Sequence, residues 1–307
     1  MSARPPLVVI AGPTASGKTS AAIRVARRLG AEIVGADSQQ VYRHFDIGTA
    51  KPSTAELAEV PHHLVSVADP AQPFSAGRYQ ELADAAIEDV SGRGRRVVVV
   101  GGTGLYLRVL LHGVVNAPPA DPALRAALVA EAEAKGRPAL HARLAQFDPP
   151  SAAAIEPTDL VRIVRALEIH ALTGTPASEQ RGRHGFAEDR YPFRLWVLSP
   201  PRETLYAAIQ ARTGHMFSHG LLEEVRALVA RGLRDASPMR SVGYAEALEH
   251  VEGRLKLDEA VARAAQRTRH YAKRQLTWFR KEREARFIAP PYDELFASPG
   301  QGGPETR

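Results

Sequence analysis

Short apolar runs alternate with amphipathic segments in the first hundred residues. The run LVVIA at residues 7–11 is followed by helical spacing of apolar positions over residues 18–29, which Gly30 ends. Further runs rich in β-branched residues lie at 32–36 and 97–100. Because strands that alternate with helices form parallel sheets covered on both faces, the pattern predicts an α/β fold with a parallel sheet flanked by helices.

Between two of the predicted strands the pattern changes to Ala-rich helices. These helices run over residues 118–193 without a convincing strand, and a strand-like run resumes at 194–198. We therefore predict a helical insertion at 118–193 in a core formed by residues 1–117 and 194–289. The segment 290–307, with its prolines, glycines and scattered polar residues, is predicted to be a disordered tail.

The last third of the chain predicts helices, the longest from Asp258 to about Lys281, with one apolar and one basic side. The apolar positions are Val261, Ala265, Ala272, Leu276 and Phe279, and the basic ones are Arg263, Arg267 and Arg274. The net charge is +6, and residues 263–286 alone hold nine Lys or Arg against two Glu, which leaves about −1 for the remainder. Such a basic face is either a solvated helix surface or a site for a polyanion.

Composition excludes several classes of site. The chain of 307 residues has no cysteine, which excludes disulfides and cysteine-ligated zinc. The adjacent His62 and His63 lack a second ligand pair at metal spacing. The apolar run near the N-terminus is too short for a signal sequence or a membrane span, so we expect a cytoplasmic protein with no membrane partner.

The segment between the first predicted strand and helix satisfies the pattern GxxxxGK[ST] of a phosphate-binding loop. It consists of Gly12, Pro13, Thr14, Ala15, Ser16, Gly17, Lys18 and Thr19. Its glycines let backbone N–H groups converge on phosphate oxygens, Lys18 supplies a cation, and the Thr19 hydroxyl can bind Mg²⁺. Since the loop recognises a diphosphate, the motif alone allows either phosphoryl transfer or another reaction with a diphosphate leaving group.

Polar residues follow the next two predicted strands, at the same carboxyl edge of the sheet as the phosphate loop. Asp37 follows the second strand, where it either acts in the chemistry or serves as a helix cap or outer-sphere Mg²⁺ ligand. Gln39 and Gln40 favour recognition of adenine, because an amide pairs with the edge of that base. Thr103, in GGTGLY at residues 101–106, is a second candidate for the chemistry, or else caps the next helix.

Five ordered motifs resemble those of the bacterial tRNA dimethylallyltransferases, members of the IPP transferase family. They are GPTASGKT at residues 12–19, DSQQVYRHFDIGTAKP at 37–52, GGTGLY at 101–106, VGY at 242–244 and RTRHYAKRQLTWFRKE at 267–282. The resemblance covers nearly the whole chain and is far more specific than the phosphate loop alone. The lack of cysteine separates the chain from eukaryotic relatives with a zinc finger, and Ala245 stands where some relatives have a basic residue.

The resemblance implies transfer of a dimethylallyl group from dimethylallyl diphosphate to the N6 amine of the adenosine 3′ to the anticodon in tRNA, with release of pyrophosphate. It implies a P-loop NTPase-like fold, Mg²⁺ as cofactor, the anticodon stem-loop of tRNA as partner and, we expect, a monomer. Asp37 is then the base that takes the proton from the attacking nitrogen, and Thr103 assists the leaving group. By the same resemblance Arg212 joins the phosphate loop in binding the diphosphate.

Contacts with tRNA follow from the motifs, from the resemblance and from the basic helix. The expected residues are Asp37, Ser38, Gln39, Gln40, Thr103, Arg125, Val161, Arg162, Ile163, Val164, Arg165, Val242, Gly243, Tyr244, Arg269, Lys273 and Arg274. Tyr271 and Trp278 are interleaved with the basic residues of the helix, and Trp278 either joins these contacts or belongs to the core.

Each motif taken alone is also compatible with other classes of protein. A P-loop kinase of a small metabolite would use Asp37 to bind or activate a hydroxyl. An adenine-nucleotide isopentenyltransferase would need the same pocket without a large RNA-binding insertion. A non-catalytic RNA-binding module would leave Lys18 and Asp37 without a role.

Overall fold

The computed structural model describes residues 4–114, 118–184 and 189–296. The chain forms two compact units, one of residues 1–111 and 190–307 and the other of residues 112–189. The bounds of the second unit lie within several residues of the insertion predicted at 118–193.

A six-stranded sheet, parallel throughout, forms the centre of the first unit. Its strands are β1 (Leu7–Ala11), β2 (Ala31–Gly35), β3 (His62–His63), β4 (Arg96–Gly101), β5 (Phe193–Leu198) and β6 (Ala285–Ile288), in the order β3-β2-β4-β1-β5-β6. The predicted α/β fold class is confirmed. The two edge strands were not predicted, because β3 has only two residues and β6 is short and mostly exposed.

Helices make up most of the remaining described residues. They are α1 (Lys18–Leu29), α2 (Thr54–Glu59), α3 (Ala76–Gly92), α4 (Gly104–His112), α5 (Pro122–Lys135), α6 (Arg137–Phe147), α7 (Pro149–Ala154), α8 (Leu160–Thr173), α9 (Ala177–His184), α10 (Arg202–Ser218), α11 (Leu221–Ala230), α12 (Tyr244–Val251) and α13 (Leu257–Phe279). In the described part of the chain, no helix is both long enough and apolar enough to cross a membrane.

Successive residues of β1 pack into different cores. Val9 faces a cluster that includes residues of α3 and α4, whereas Ile10 faces a cluster that includes Ala22 and Ala26 of α1. Burial on both faces is what makes the central strands read as continuous apolar runs. At the end of β4, a Cβ on Gly101 would lie 2.0 Å from the Ala36 carbonyl oxygen, so only glycine allows β2 and β4 to end this close together.

The helices from α10 to α13 form a third core in the first unit. Phe217, Leu221, Val225 and Ala264 pack there with Phe45, which lies in the loop after β2. This cluster attaches the loop that carries the DSQQ motif to the C-terminal helices. The loop at the carboxyl end of β2 is therefore held next to helices α10 to α13.

The second unit is helical throughout its described residues. Asp121 caps α5 by accepting hydrogen bonds from the amides of Ala123 and Leu124, and Asp159 caps α8 in the same way at Arg162. The apolar sides of α5, α6 and α8 meet in a core that includes Leu128, Leu140, Leu144, Ile163 and Leu167. The unit thus has a hydrophobic core of its own.

The chain after residue 289 differs from the predicted disordered tail. Tyr292, Leu295 and Phe296 pack against the α1 side of the sheet, and the Tyr292 hydroxyl donates to the Ser16 carbonyl oxygen at 3.0 Å. The prediction is wrong for residues 290–296, because prolines and glycines dominate the segment but its few apolar side chains have a core to cover. Residues 297–307 lie outside the described part of the chain.

A buried carboxylate supports the edge of the sheet. Glu32 on β2 is almost fully buried and accepts hydrogen bonds from Arg93 at 2.5 and 2.8 Å and from His63 at 2.8 Å. The bonds from Arg93 are the main reason that the pKa of Glu32 falls to about 2, against the opposing effect of burial. The ionised form of Glu32 is therefore strongly preferred in the folded protein.

We expect Glu32→Gln to lower the free energy of unfolding at pH 7 by about 2 kcal/mol, after allowance for the exposure of Arg93. The folded pKa of about 2 lies below the ordinary 4.5, so the contribution is complete above pH 4.5 and is lost as the pH falls through 2. Urea unfolding at pH 7 and pH 3.5 measures the difference, with Glu88→Gln on the exposed side of α3 as control. A difference between wild type and Glu32→Gln that grows toward low pH would contradict this account.

Candidate active site

The phosphate-binding loop connects β1 to α1, as its motif predicts. Gly12 has φ 145°, and a Cβ there would lie 2.7 Å from the Leu198 carbonyl oxygen, so the loop requires glycine at its start. Gly17 precedes α1 with φ 82° and offers no side-chain cap. The first amides of α1 are therefore left for an anion, which the helix dipole also favours.

Lys18 is held in place in the folded protein. Its Nζ donates to the Pro13 carbonyl oxygen at 2.6 Å. Burial, and secondarily the charge of Arg212, lower the pKa of Lys18 to about 8, although the carboxylate of Asp37 opposes this shift. The site thus holds a desolvated cation whose charged form an incoming diphosphate would stabilise.

Arg212 reaches the same loop from α10. Its guanidinium donates a hydrogen bond to the Thr14 hydroxyl oxygen. Burial lowers the pKa of Arg212, and the negative charge of Asp37 opposes the shift. The structure therefore places Arg212 at the loop, in the position expected for a residue that binds a diphosphate.

Asp37 begins the loop after β2, and its two oxygens have different surroundings. Oδ1 accepts from the backbone amides of Gln39 at 2.8 Å and Gln40 at 3.3 Å, which forms a turn rather than a helix cap. Within the described residues Oδ2 has no hydrogen-bond partner. One oxygen orients the carboxylate and the other is available to accept a proton.

Thr103 lies beside this loop. Its Oγ1 accepts from the Ser38 amide at 2.9 Å and donates to the Ser38 hydroxyl oxygen at 3.3 Å, so it bonds to the DSQQ segment instead of capping α4. Tyr271 on α13 lies near Thr103. Burial and the nearby charge of Asp37 raise the pKa of Tyr271, which keeps its hydroxyl neutral.

The two glutamines that were predicted to recognise adenine have different roles. The Gln40 side chain donates to the carbonyl oxygens of Thr49 at 3.1 Å and Ala50 at 2.9 Å, so it supports its own loop. Gln39 lines a cavity, and its Oε1 is buried without a hydrogen-bond partner in the described structure. Gln39 is therefore the one with an acceptor to offer a ligand.

A cavity of about 290 Å³ lies between the carboxyl edge of the sheet and the C-terminal helices. Its lining includes Thr14, Asp37, Ser38, Gln39, Arg212, Met216, Phe217, Arg240, Val242, Gly243, Arg267 and Tyr271. Charged and amide groups thus surround part of the space and apolar side chains the rest. Such a site suits a ligand with an anionic end and an apolar body.

Tyr244 does not belong to the surface. Its side chain is fully buried, donates to a Glu224 carboxylate oxygen, and accepts from the Gly48 amide at 3.1 Å. The prediction that Tyr244 contacts RNA is wrong for its side chain, because the ring and hydroxyl hold the loop after the DSQQ motif. Val242 and Gly243, the preceding residues of the motif, do line the cavity.

The basic helix α13 combines core and surface residues. Arg267 is bound to the buried Glu246, and Arg269 lies over the Tyr206 ring, with a weak bond to Gln210 at 3.5 Å. Lys273 and Arg274 are exposed, and Arg274 also lies over the Tyr271 ring.

Trp278 belongs to the core side of α13. A Cβ on Gly104 would lie 2.2 Å from its ring, and the Arg108 guanidinium lies 4.5 Å from the ring centroid. Of the two open interpretations, the structure favours packing over contact with RNA.

Of the residues predicted to contact tRNA in the second unit, some are exposed and others are bonded or buried within the unit. Arg125 and Arg165 both bind the buried Glu168, which has its pKa lowered to about 2 by these bonds in spite of burial. Val161 is 81% exposed, and Arg162 is exposed as well. Ile163 and Val164 are wrong as side-chain contacts with RNA, because α8 turns both into the core of the unit.

Sequence reasoning missed two residues of this site. Gln275 is buried on α13 and bonds to the phosphate loop, and Arg240 lines the cavity. The position of Gln275 in phase with Ala272 and Phe279 on the apolar side of the helix was the available indication. A polar residue at such a position usually has a buried partner.

The described residues contain no cluster of three His, Cys, Asp or Glu that could hold a metal ion by themselves. The Thr19 hydroxyl, at the start of α1, forms no hydrogen bond within the described structure. Because Mg²⁺ usually binds through one or two protein oxygens together with phosphate oxygens, this donor set fits a cation that arrives with a diphosphate.

Comparisons with known proteins agree on one family. The sequence profile described as IPP transferase matches residues 40–282. A tRNA dimethylallyltransferase of Myxococcus xanthus is 64% identical over 94% of this chain and 94% of that protein. The corresponding protein of Sorangium cellulosum is 50% identical over 93% of this chain and 90% of its own.

Solved structures of the same kind superpose on the fold. A tRNA isopentenylpyrophosphate transferase from Bacillus halodurans is 39% identical with a TM-score of 0.68, over 92% of this chain and 89% of that one. A eukaryotic dimethylallyltransferase acting on tRNA is 27% identical with a TM-score of 0.76, over 93% of this chain and 74% of that one. The chain belongs to the IPP transferase family.

Proposed function

We propose that this enzyme transfers a dimethylallyl group from dimethylallyl diphosphate to the N6 amine of the adenosine 3′ to the anticodon in tRNA, and releases pyrophosphate. One observation carries the proposal: Arg212 and Thr14 of the phosphate site line the same cavity as Asp37, whose Oδ2 has no hydrogen-bond partner among the described residues. A donor held by its diphosphate would therefore lie in the same cavity as Asp37, the base for the attacking amine.

The reaction follows from these positions. The N6 amine attacks the allylic carbon, the carbon–oxygen bond to the diphosphate breaks, and the proton on nitrogen passes to Asp37 Oδ2. Lys18, Arg212 and the amides at the start of α1 stabilise the negative charge that develops on the pyrophosphate. Thr103 acts by holding Ser38 and so the loop that carries Asp37.

Mg²⁺ would be held by the Thr19 hydroxyl together with oxygens of the diphosphate, and it would supply further positive charge to the leaving group. The residues of the chain carry the remaining roles.

The adenine would be read chiefly by Gln39, whose buried Oε1 lacks a partner in the described structure and can accept from an amine of the base. An adenosine in an anticodon loop can leave its stack at low cost. Arg269, Lys273 and Arg274 are proposed to contact the phosphate backbone, and Val161 and Arg162 to form further contacts from the second unit. We also propose that the enzyme acts as a monomer.

The comparisons favour a tRNA enzyme over a small-molecule kinase or an enzyme acting on free adenine nucleotides, because relatives matching over more than nine-tenths of this chain are named for action on tRNA. The exposed cations of α13 agree with that choice, since free nucleotides would not need them.

The acceptor can be identified directly. With Mg²⁺ and labelled dimethylallyl diphosphate, label is expected in an anticodon stem-loop and not in AMP, and ATP alone is not expected to be hydrolysed. Asp37→Asn keeps an oxygen for the turn but removes the base, so kcat is expected to fall about 10²- to 10⁴-fold. Asp69→Asn, in an exposed loop of the same unit, is the control. Label entering AMP, or full activity of Asp37→Asn, would refute the proposal.

Binding of the donor should depend on the charge of Lys18. Its pKa of about 8 in the free enzyme must rise when the diphosphate binds, so binding takes up a proton above pH 8 and the KM for the donor increases as the pH rises through 8. The donor itself has completed its ionisation below that range. Measurements of KM from pH 7 to 9.5 test this, with Lys18→Met as a variant whose KM is high and constant. A constant KM in the wild type would contradict the assignment.

Salt dependence measures the RNA contacts. Each of Lys273→Ala and Arg274→Ala is expected to weaken binding of the stem-loop and to flatten the plot of log K against log salt by roughly 0.7 to 0.9 for each lost phosphate contact. Filter binding or anisotropy between 50 and 300 mM salt gives the slopes. Arg27→Ala on α1, where the arginine is paired with Glu59, should leave the slope unchanged. Equal slopes for all four proteins would remove α13 from the RNA site.

A further inference from the structure

Gln275 connects α13 to both loops of the candidate site. Its side chain is buried, and Oε1 accepts from the Thr14 amide at 2.9 Å while Nε2 donates to the Gly102 carbonyl oxygen at 2.8 Å. Because one partner can only donate and the other can only accept, the orientation of the amide is fixed. At neutral pH no other standard side chain of this length supplies both groups.

The bond to Thr14 acts on a single rigid peptide unit. The Thr14 amide and the Pro13 carbonyl belong to the same planar, trans peptide, so they point in opposite directions. Gln275 holds this unit on one side, and on the other side the Pro13 oxygen accepts from Lys18 Nζ at 2.6 Å and from the Ser16 amide at 3.3 Å. Rotation of the peptide would break all three bonds at once.

The bond to Gly102 ties the same side chain to the loop that precedes Thr103. A Cβ on Gly102 would lie 2.2 Å from Gln275 Nε2, so the amide keeps this position only when residue 102 is glycine. The loop that holds the diphosphate and the loop that holds Thr103 are therefore spaced by one buried amide. Losing it would leave a buried donor and a buried acceptor unsatisfied.

We propose that Gln275 is a positioning residue for the diphosphate: it fixes the Pro13–Thr14 peptide and, through it, the place of Lys18 before the donor binds. This inference rests on the proposed function of the loop. It predicts that changes at Gln275 act on the binding of pyrophosphate and of the donor, and leave the KM for RNA unchanged.

Calorimetric titration with pyrophosphate and Mg²⁺ tests the inference on the full chain. Gln275→Met has a similar length without either hydrogen-bonding group, and it is expected to weaken binding about 10-fold, the worth of a lost hydrogen bond of ordinary strength. Gln266→Met, at an exposed position of the same helix, is the control and should bind as the wild type does. Gly102→Ala disturbs the contact from the other partner and should weaken binding similarly.

A pH series separates positioning from a general loss of structure. Gln275→Glu can accept from Thr14 but cannot donate to Gly102 while it is ionised, whereas its protonated form can do both. Its affinity relative to wild type is therefore expected to recover by several-fold from pH 8 to pH 5.5, while the ratio for Gln275→Met stays constant.

The outcomes distinguish this inference from the proposed function. Unchanged affinity in Lys18→Ala would show that the loop does not bind pyrophosphate, and the proposed function would fail. Weakened binding in Lys18→Ala with wild-type affinity in Gln275→Met and Gly102→Ala would overturn the role of Gln275 alone. If Gln275→Met does not fold, Gly102→Ala and the pH series of Gln275→Glu decide, and absence of recovery at low pH overturns the inference.

Discussion

The parallel direction of the central strands is the constraint on which the site depends. Since β1, β2 and β4 run the same way, the phosphate loop, the loop of Asp37 and the loop of Thr103 all leave the sheet at one edge. Gly101 allows these loops to approach closely, because any side chain there would collide with the end of β2. Three segments far apart in the chain thus become neighbours without any contact specific to a ligand.

Positive charge exceeds negative charge among the buried groups at this edge of the sheet, where Lys18 and Arg212 face Asp37. Burial and, secondarily, the charge of Arg212 lower the pKa of Lys18, burial lowers the pKa of Arg212, and the charge of Asp37 opposes both shifts. This desolvated positive charge is unfavourable, and an anion bound there would relieve it. In the proposed reaction the same arrangement would favour departure of pyrophosphate as an anion, since the groups are already oriented before charge develops.

Features that follow a strand could be predicted from the sequence, and features that depend on distant contacts could not. The places of Asp37 and Thr103 at the sheet edge could be predicted because each follows an apolar run closely, and the order of the motifs indicated the family, which the comparisons confirm. Gln40 was assigned to the base together with Gln39, because adjacent residues look alike until the fold shows that one of them bonds to Thr49 and Ala50. The motifs also do not distinguish residues that would contact a ligand from residues that hold a loop in place, as the buried Tyr244 shows.

The burial of Gln275 shows how one helix can pack against the candidate site and still carry an exposed basic face. Its neighbours Lys273 and Arg274 point to solvent, while Gln275 lies beneath the phosphate loop. Through the bonds of Gln275, a movement of α13 would be transmitted to the phosphate loop. The bond from Gln275 to the Thr14 amide joins α13 to the Pro13–Thr14 peptide, whose carbonyl oxygen also accepts from Lys18. In the proposed reaction such a connection matters, since a misplacement of about 1 Å at the reacting atoms can cost roughly 10²-fold in rate.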